Sequence, residues 1–117
     1  MVLRLRYLGH RCVPGGAIVP WYQHGQVELE PGCELAIPAE GLVLGRSLTA
    51  DVRIASNGVA RKHVRLTLVD GKLHADDLGS TNGTQRNGVT APSMDLAPGD
   101  VLSLADTFDF LVLAAAD

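Results

Sequence analysis

Three segments of the chain carry side chains that are suited to binding an anion. Arg46 and Arg61 supply guanidinium forks, which match the oxygen geometry of phosphate and carboxylate groups. Thr81 supplies a hydroxyl, and Asn82 supplies an amide that can donate to and accept from an extended peptide backbone. These residue types favour the recognition of an anionic peptide. The three segments are residues 45–54, 59–64 and 77–84.

The local charge of this part of the chain supports an anionic ligand. Residues 45–65 contain five basic side chains and one acidic side chain, a local charge of +4 (five minus one), whereas the whole chain has a formal charge of -3. A general nucleic-acid binder usually shows a strongly basic face. An electropositive group of loops on an acidic domain fits an anionic peptide better, so we expect no nucleic acid among the partners.

Other residues of these segments are expected to line or support the binding site. A lone histidine without an adjacent nucleophile is a poor base, so His63 is predicted to be structural. Asp51 is predicted to accept hydrogen bonds from loop amides, and Arg86 is either a solvated charge or a contact for acidic peptide positions. The predicted rim comprises Asn57, Ala60, Lys62, Ser80 and Arg86, and the predicted supporting residues are Gly45, Asp51, His63 and Gly83.

The sequence does not indicate enzymatic chemistry. No Ser/His/Asp arrangement, set of metal ligands or glycine-rich phosphate loop before a helix is evident. Asp76 and Asp77 form a pair of adjacent carboxylates, but neighbours on a strand point to opposite faces of a sheet and do not share a substrate. We therefore predict that the chain is not an enzyme and has no catalytic residues, metal site or cofactor.

The elements that position these segments are predicted to be short strands joined by tight turns. Turn-favouring pairs recur along the chain, and Asn-Gly, at residues 57–58, 82–83 and 87–88, is the strongest short hairpin signal. Between the turns, apolar and polar residues alternate as they do in half-buried strands, and no stretch shows an amphipathic helix over three turns. Strands are predicted at residues 3–7, 27–30, 34–37, 41–44, 64–68, 101–104 and 108–113.

Length and composition indicate one all-β domain. The 117 residues suit a single compact unit, and a content of 46% hydrophobic and 20% charged residues is enough for a real core. Many short strands with regular turns indicate a sandwich or barrel. Residues 1–25, which include the single tryptophan, Trp21, are predicted to be an extension strand and loop packed on the edge of the module that residues 26–117 form.

Two further features bear on where the chain works. No apolar run approaches the roughly 18 to 20 residues that cross a bilayer, and the N-terminus lacks the apolar stretch of a secretory signal. We therefore expect a cytoplasmic location without membrane insertion.

Cys12 and Cys33 are too few for a closed zinc site made of thiolates alone. Two reduced thiols and a disulfide both remain open for them.

The spacing of the three segments resembles that of the forkhead-associated (FHA) domain family. The most specific part is the octapeptide DLGSTNGT at residues 77–84, which matches over its whole length. The resemblance covers residues 34–113. The other shared elements are Gly45-Arg46, Asp51 followed by an aliphatic residue, Arg61-x-His63 and Asn87-Gly88.

The resemblance implies an eleven-stranded β-sandwich of the SMAD/FHA type whose loops bind phosphothreonine. In the family, the residues matching Arg46 and Thr81 bind the phosphate, and the residue matching Asn82 holds the main chain of the ligand. The residue matching Arg61 lies beside the peptide, and the one matching His63 braces the loops. The implied function is an adaptor in Ser/Thr kinase signalling, alone or within a larger multidomain protein, whose partner is a phosphothreonine-containing kinase substrate.

One departure from the family pattern keeps a second function open. The phosphate-binding serine of the family is Ala60 here. A hydroxyl donor to a charged phosphate contributes about 1.5–3 kcal/mol, so its loss weakens binding by about tenfold to a hundredfold. Lys62 or Arg61 can compensate by adding charge. The alternative is a phosphorylation-independent interaction or assembly domain of the same fold.

Overall fold

The computed structural model describes residues 2–10, 32, 34–54 and 58–116. Cys12, Trp21, Cys33 and Asn57, and the strand predicted at residues 27–30, lie outside the described residues. Within the described ranges, no helix is long and apolar enough to span a membrane. The described residues form eleven strands, which are β1 (Val2–His10), β2 (Glu34–Ala36), β3 (Leu42–Gly45), β4 (Val52–Arg53), β5 (Val64–Val69), β6 (Lys72–Asp77), β7 (Thr84–Arg86), β8 (Val89–Thr90), β9 (Ser93–Leu96), β10 (Val101–Leu104) and β11 (Phe108–Ala116).

The strands form two sheets, which confirms the predicted all-β sandwich of eleven strands. One sheet has six strands in the order β2-β1-β11-β10-β7-β8, and the other has five in the order β4-β3-β5-β6-β9. Strands β3 and β4 are parallel, and the other described pairs are antiparallel. Antiparallel neighbours suit the many tight turns that the sequence contains.

The core contains the apolar residues that alternate along the strands of both sheets. In β5, Val64 and Leu66 are fully buried whereas Arg65 between them is exposed. Burying a side chain of this size stabilises the fold by about 1.5–3 kcal/mol. The aromatic residues add a tilted ring contact between Tyr7 and Phe110, whose centroids lie 5.2 Å apart.

Two hairpin turns follow from residues that accept a positive φ. Asn87 and Gly88 join β7 to β8 with φ values of 49° and 85°, the form that Asn-Gly pairs favour. Asp70 and Gly71 join β5 to β6 in the same way, with φ values of 51° and 77°. The first turn fixes Arg86 opposite Val89, and the second fixes the register of the two central strands beneath the loops.

The N-terminal strand lies in a different place from the one expected. We predicted an extension packed on an edge, but β1 is an interior strand with β2 on one side and β11 on the other. Its side chains Leu5 and Tyr7 are buried in the core, because alternate residues of a strand share one face. Residues 2–10 are therefore an integral part of the six-stranded sheet. The division at residue 25 falls outside the described residues and stays a prediction.

Candidate functional site

Three loops meet where β3 and β6 end and β5 begins. Leu44 lies opposite Val64, and Val64 lies opposite Asp77, so these strand ends share one end of the five-stranded sheet. The loop that follows β3 and the loop that precedes β5 are joined directly. The backbone N–H of Arg46 donates to the carbonyl of Ala60 at 2.9 Å. The sheet thus brings together the segments that the sequence predicted to bind an anion.

Gly45 allows the first two loops to approach each other. The N–H of Ser47 donates to the Arg61 carbonyl at 3.0 Å. A Cβ atom on residue 45 would lie only 2.2 Å from that same carbonyl oxygen. A glycine is therefore required at this position by the close passage of the two backbones.

His63 links the second loop to the third. Its ring is fully buried, its Nδ1 accepts the N–H of Ala60 at 3.0 Å, and its Nε2 lies 2.7 Å from the Gly83 carbonyl oxygen. A carbonyl only accepts, so Nε2 carries the proton and donates it to Gly83. Burial lowers the pKa of His63, although the Gly83 carbonyl and Asp77 act in the opposite direction. A neutral imidazole therefore braces the two loops.

Asp77 organises the third loop from within. Its Oδ1 accepts the N–H groups of Gly79 and Ser80 at 2.9 and 2.8 Å. Its Oδ2 accepts the hydroxyls of Ser80 and Thr84 at 2.5 and 2.8 Å. Burial acts to raise the pKa of this carboxyl, but the hydrogen bonds from Ser80, Thr84 and Gly79 hold the pKa below its ordinary value. The loop that presents Thr81 is thereby fixed by a charged acceptor.

Asn82 ties the third loop to the segment before β5. Its Nδ2 donates to the Gly58 carbonyl at 2.9 Å, which leaves its Oδ1 without a donor among the described residues. The next residue, Gly83, has a φ of 82°, and a Cβ atom there would lie 2.9 Å from Cγ2 of Thr90. The turn that holds Asn82 therefore needs glycine after it.

The unused hydrogen-bond donors of these loops define the candidate site. Among the side-chain nitrogens of Arg46, only Nε has a partner within the described ranges, the Val59 carbonyl at 3.0 Å. The Thr81 hydroxyl is exposed and has no partner in the same ranges. The backbone N–H groups of Arg61, Lys62, Thr81 and Asn82 are among those without an acceptor there. Amides of successive residues beside a guanidinium group form a surface suited to an anion.

Arg61 and Lys62 extend the positive charge of this surface. Both side chains are exposed, and neither forms an ion pair with another described residue. Ala60 precedes them and has no hydroxyl. Its backbone is also engaged, since its N–H donates to His63 and its carbonyl accepts the N–H of Arg46. Residue 60 thus supports the loops and offers no donor to a ligand.

The other predicted residues lie beneath or beside this surface. Asp51 accepts the N–H of Val43, within β3, at 2.7 Å and so holds the loop against the strand. The Ser80 hydroxyl donates to Asp77 and accepts the N–H of Gly83 at 3.0 Å, so it supports the loop. Arg86 lies on β7, where its Nε donates to Asp100 at 3.2 Å. Asn57 lies outside the described residues.

A Ser/His/Asp arrangement, which the sequence did not reveal, lies on the five-stranded sheet. His74 Nδ1 lies 2.8 Å from Asp95 Oδ1, and His74 Nε2 lies 2.9 Å from the Ser93 hydroxyl. Asp76 Oδ1 lies 3.1 Å from the same Nε2 and accepts the Ser93 hydroxyl at 2.9 Å. The pairing of β6 with β9 places these residues side by side. Because the two strands are far apart in the chain, no local motif signals the arrangement.

The carboxylates of this arrangement stabilise the protonated form of His74. The hydrogen bond with Asp95 is the largest of the effects that raise the pKa of His74, and Asp76 adds to it. An imidazole flanked by carboxylates at both nitrogens favours the imidazolium form, which cannot take a proton from Ser93. We assign the cluster a structural role between β6 and β9. The described residues also contain no group of three or more His, Cys, Asp or Glu that could hold a metal ion.

Comparison with known families and curated proteins identifies the type of domain. The FHA domain model matches residues 42–105, more than half of the chain. The FHA domain-containing protein FhaA of Mycobacterium tuberculosis is 38% identical over 63 residues. That match covers 53% of this chain and 12% of FhaA, so the chain spans a small share of this relative's length.

Solved FHA domains share the fold over nearly the whole chain. One comes from a structural and functional analysis of phosphothreonine-dependent FHA domain interactions. It has a TM-score of 0.71 at 22% identity and covers 99% of each chain. The FHA domain of FhaA, complexed with the intracellular domain of Rv3910, has a TM-score of 0.68 at 24% identity and covers 94% of this chain and 98% of its own. At these identities the likeness is one of fold.

Proposed function

Because this chain belongs to the FHA domain family, we propose that it is a phosphothreonine-binding adaptor module in Ser/Thr kinase signalling. FHA domains are interaction modules and not enzymes. The phosphate would be bound by Arg46 and Thr81, and Asn82 would hold the main chain of the peptide. Recognition then needs no bond to be made or broken.

The observation that carries this proposal is the set of unused donors at the meeting point of the three loops. The terminal nitrogens of Arg46, the Thr81 hydroxyl and the free amides of residues 61, 62, 81 and 82 have no acceptor among the described residues. A phosphothreonine carries three acceptor oxygens and a charge of roughly -1.5 to -2 at neutral pH. Such a ligand supplies the acceptors that this surface lacks.

The loops are held in place before any ligand arrives. His63 and Asp77 fix the second and third loops through six hydrogen bonds, two to His63 and four to Asp77. A preformed site saves the entropy of ordering the loops when the peptide binds. The exposed charges of Arg61 and Lys62 add an attraction that salt will screen.

Two solved relatives bear on the kind of partner that we propose. One FHA domain was studied for phosphothreonine-dependent interactions, and the FhaA domain is complexed with the intracellular domain of Rv3910. We extend this kind of ligand to the present chain on the strength of its own loop residues. The partner is then a phosphothreonine-containing kinase substrate, which the domain binds in the cytoplasm. A place within a larger protein fits the small share of FhaA that the chain spans.

Ala60 supports a second candidate function. The residue has no hydroxyl and its backbone groups are already hydrogen-bonded, so this position gives a phosphate nothing to bind. A domain that has lost its phosphate ligand would serve as a phosphorylation-independent interaction or assembly module. Arg46, Thr81 and the free amides favour the first function, because a phosphate-independent surface has no need of so many unpaired donors.

Calorimetric titration with a degenerate phosphothreonine peptide pool tests the choice. We expect micromolar binding to the phosphorylated pool and none to the unphosphorylated pool. The Arg46→Ala variant should bind at least about tenfold more weakly, since a hydrogen bond to a charged group is worth about 1.5–3 kcal/mol. Arg65→Ala is the matched control, because it removes an exposed arginine from β5 that takes no part in the loops.

Three results would decide against the adaptor. They are equal binding of both pools, equal losses in the Arg46 and Arg65 variants, and the absence of phosphate-dependent heat from the wild type. If Ala60→Ser then creates phosphate-dependent binding, the site has lost its ligand through that position. The second function would follow from that outcome.

A further inference from the structure

Gln85 is a buried polar side chain beside the candidate site, and its amide is hydrogen-bonded at both ends. It lies on β7, directly after the octapeptide at residues 77–84, and is 3% exposed. Its Oε1 accepts the N–H of Asp106 at 2.7 Å, and its Nε2 donates to the Asn82 carbonyl at 3.3 Å and to the Thr90 hydroxyl at 3.1 Å. A backbone N–H only donates and a carbonyl only accepts, so these partners fix the direction of the amide.

The Gln85 amide connects Asn82 to the turn between β10 and β11. Ala105 and Asp106 form that turn with φ values of 55° and 50°, a region that residues other than glycine rarely adopt. A conformation of this kind persists where the surrounding structure holds it. Here the Ala105 N–H donates to the Gly83 carbonyl at 2.9 Å, and the Asp106 N–H donates to Gln85. The turn is therefore a fixed support against which the Gln85 side chain is held.

The peptide unit between Asn82 and Gly83 is held from both sides. Its carbonyl, which belongs to Asn82, accepts from Gln85, and its N–H, which belongs to Gly83, donates to the Ser80 hydroxyl at 3.0 Å. Because a peptide unit is planar, holding both groups fixes its orientation. The backbone of Asn82 is thereby fixed, and with it the point from which the Asn82 side chain reaches the Gly58 carbonyl at 2.9 Å.

Gln85 does not line the surface that faces a ligand. A cleft of about 360 Å³ lies beside Thr81 and Asn82, and its lining includes Thr90 but not Gln85. Gln85 therefore lies behind two residues of this lining, Asn82 and Thr90, and is hydrogen-bonded to both. Any effect of Gln85 on binding passes through the residues that it holds.

We propose that Gln85 is a positioning residue for phosphothreonine peptide binding and that it acts by fixing the backbone of Asn82. The inference rests on the proposed function, in which Asn82 holds the main chain of the ligand. Without the Gln85 amide, the Asn82 carbonyl loses its donor and its peptide unit is held on one side only. Binding then has to order this unit, and that entropic cost weakens the affinity.

A double-mutant cycle measured by calorimetry tests the inference, with the tightest phosphothreonine peptide from the calorimetric pool as the probe. Gln85→Met replaces the amide by an apolar chain of similar length and should weaken binding about two- to tenfold, the range for one neutral hydrogen bond. Asn82→Ala removes the side chain that Gln85 positions. Adding Gln85→Met to Asn82→Ala should weaken binding no further, because the two residues act through one contact with the ligand.

Ser103→Ala is the matched control for the loss of a buried polar group. Ser103 is 1% exposed, lies opposite Gln85 in β10 and donates its hydroxyl to Asp109 at 2.6 Å. This variant should lower the melting temperature and keep the wild-type affinity for the peptide. Gln85→Glu is a second variant, which keeps an acceptor for the Asp106 N–H and loses the amide donor. It should also bind the peptide more weakly than the wild type.

The outcomes separate this inference from the proposed function. Wild-type affinity in Gln85→Met, or in Gln85→Glu if the methionine variant does not fold, would overturn the positioning role. A loss from Gln85→Met that is equally large in the Asn82→Ala background would overturn it too. In both cases the adaptor function stands if wild-type binding needs the phosphate and Arg46. A wild type that binds no phosphorylated peptide would overturn both proposals.

Discussion

Two histidines at the residue scale show how their surroundings set their charge. His63 is buried, and its Nδ1 accepts the Ala60 N–H, so protonation of Nδ1 would break a contact that shapes the binding loops. His74 lies between Asp95 and Asp76 and is stabilised as the charged form. Burial lowers the pKa of His63, and the hydrogen bond with Asp95 raises that of His74. Their effects on folding stability therefore change with pH in opposite directions.

We predict that His74→Gln makes the free energy of unfolding fall more steeply between pH 7.5 and pH 5.5. The ordinary pKa of histidine is 6.5. The raised pKa of folded His74 contributes stability that is complete below 6.5 and is lost as pH rises through the folded pKa. The lowered pKa of folded His63 contributes the opposite change, with stability lost as pH falls below 6.5. Removing His74 leaves the loss from His63 uncompensated.

Urea denaturation of both proteins at the two pH values measures this difference. The comparison cancels the contributions of other titrating groups, which the two proteins share. We expect the change in the free energy of unfolding between the two pH values to differ between the two proteins by no more than about 1 kcal/mol, because His74 is at the surface. Equal slopes in the two proteins would show that the carboxylates do not hold a charge on His74.

The sequence pointed to some residues of the candidate site but not to others. The octapeptide at residues 77–84 predicted Thr81 and Asn82 as binding residues. The fold brings their loop beside the segment before β5, since Asn82 donates to the Gly58 carbonyl, and their role in binding stays a prediction. The same peptide contains Asp77, whose role as the acceptor for the whole loop was not assigned. Its four hydrogen bonds depend on a backbone turn that residue types alone do not determine.

The site depends at the element scale on how closely β3 approaches the loop before β5. We predict that Gly45→Ala destabilises the fold by about 1–3 kcal/mol, the usual cost of an extra methyl group in a filled space. The new Cβ would collide with the Arg61 carbonyl oxygen. Because this is a backbone atom, a change of side-chain rotamer cannot relieve the clash. The shifted loop should also weaken phosphothreonine peptide binding. Thermal unfolding and calorimetry measure the two effects.

Gly99→Ala is a useful control for this substitution. Gly99 has a φ of 94°, and a Cβ atom there meets no other atom within 4 Å. That variant should lose stability through backbone strain and bind peptide as the wild type does. A Gly45→Ala protein with wild-type stability and affinity would contradict the role given to this contact.

Strand prediction from the sequence succeeded where alternation and turn residues agreed. The predicted strands at residues 64–68 and 101–104 are β5 and β10, and the hairpin predicted at Asn87-Gly88 is present. Strands β4 and β8 are two residues long, too short for any alternation to show. Strand β1 was predicted as a strand but placed on an edge, because its partners β2 and β11 are distant in the sequence.

In the molecule as a whole, the β-sandwich forms the scaffold, and the exposed hydrogen-bond donors lie on loops at one end of it. Two sheets enclose the apolar core, and the loops at one end carry Arg46, Arg61 and Lys62. The chain as a whole has a charge of -3, whereas residues 45–65 carry five basic side chains and one acidic side chain. On the proposed function, this distribution of charge would attract a phosphorylated peptide to that end of the domain.

The most direct test of phosphate recognition is to follow the backbone amides by NMR during titration. The probe is the tightest phosphothreonine peptide from the calorimetric pool, beside its unphosphorylated form. We predict that the amide protons of Arg61, Lys62, Thr81 and Asn82 show the largest downfield shifts and that only the phosphorylated peptide causes them, because a phosphate supplies the acceptors they lack. Shifts that are equal for both peptides, or that map away from these four amides, would contradict the account.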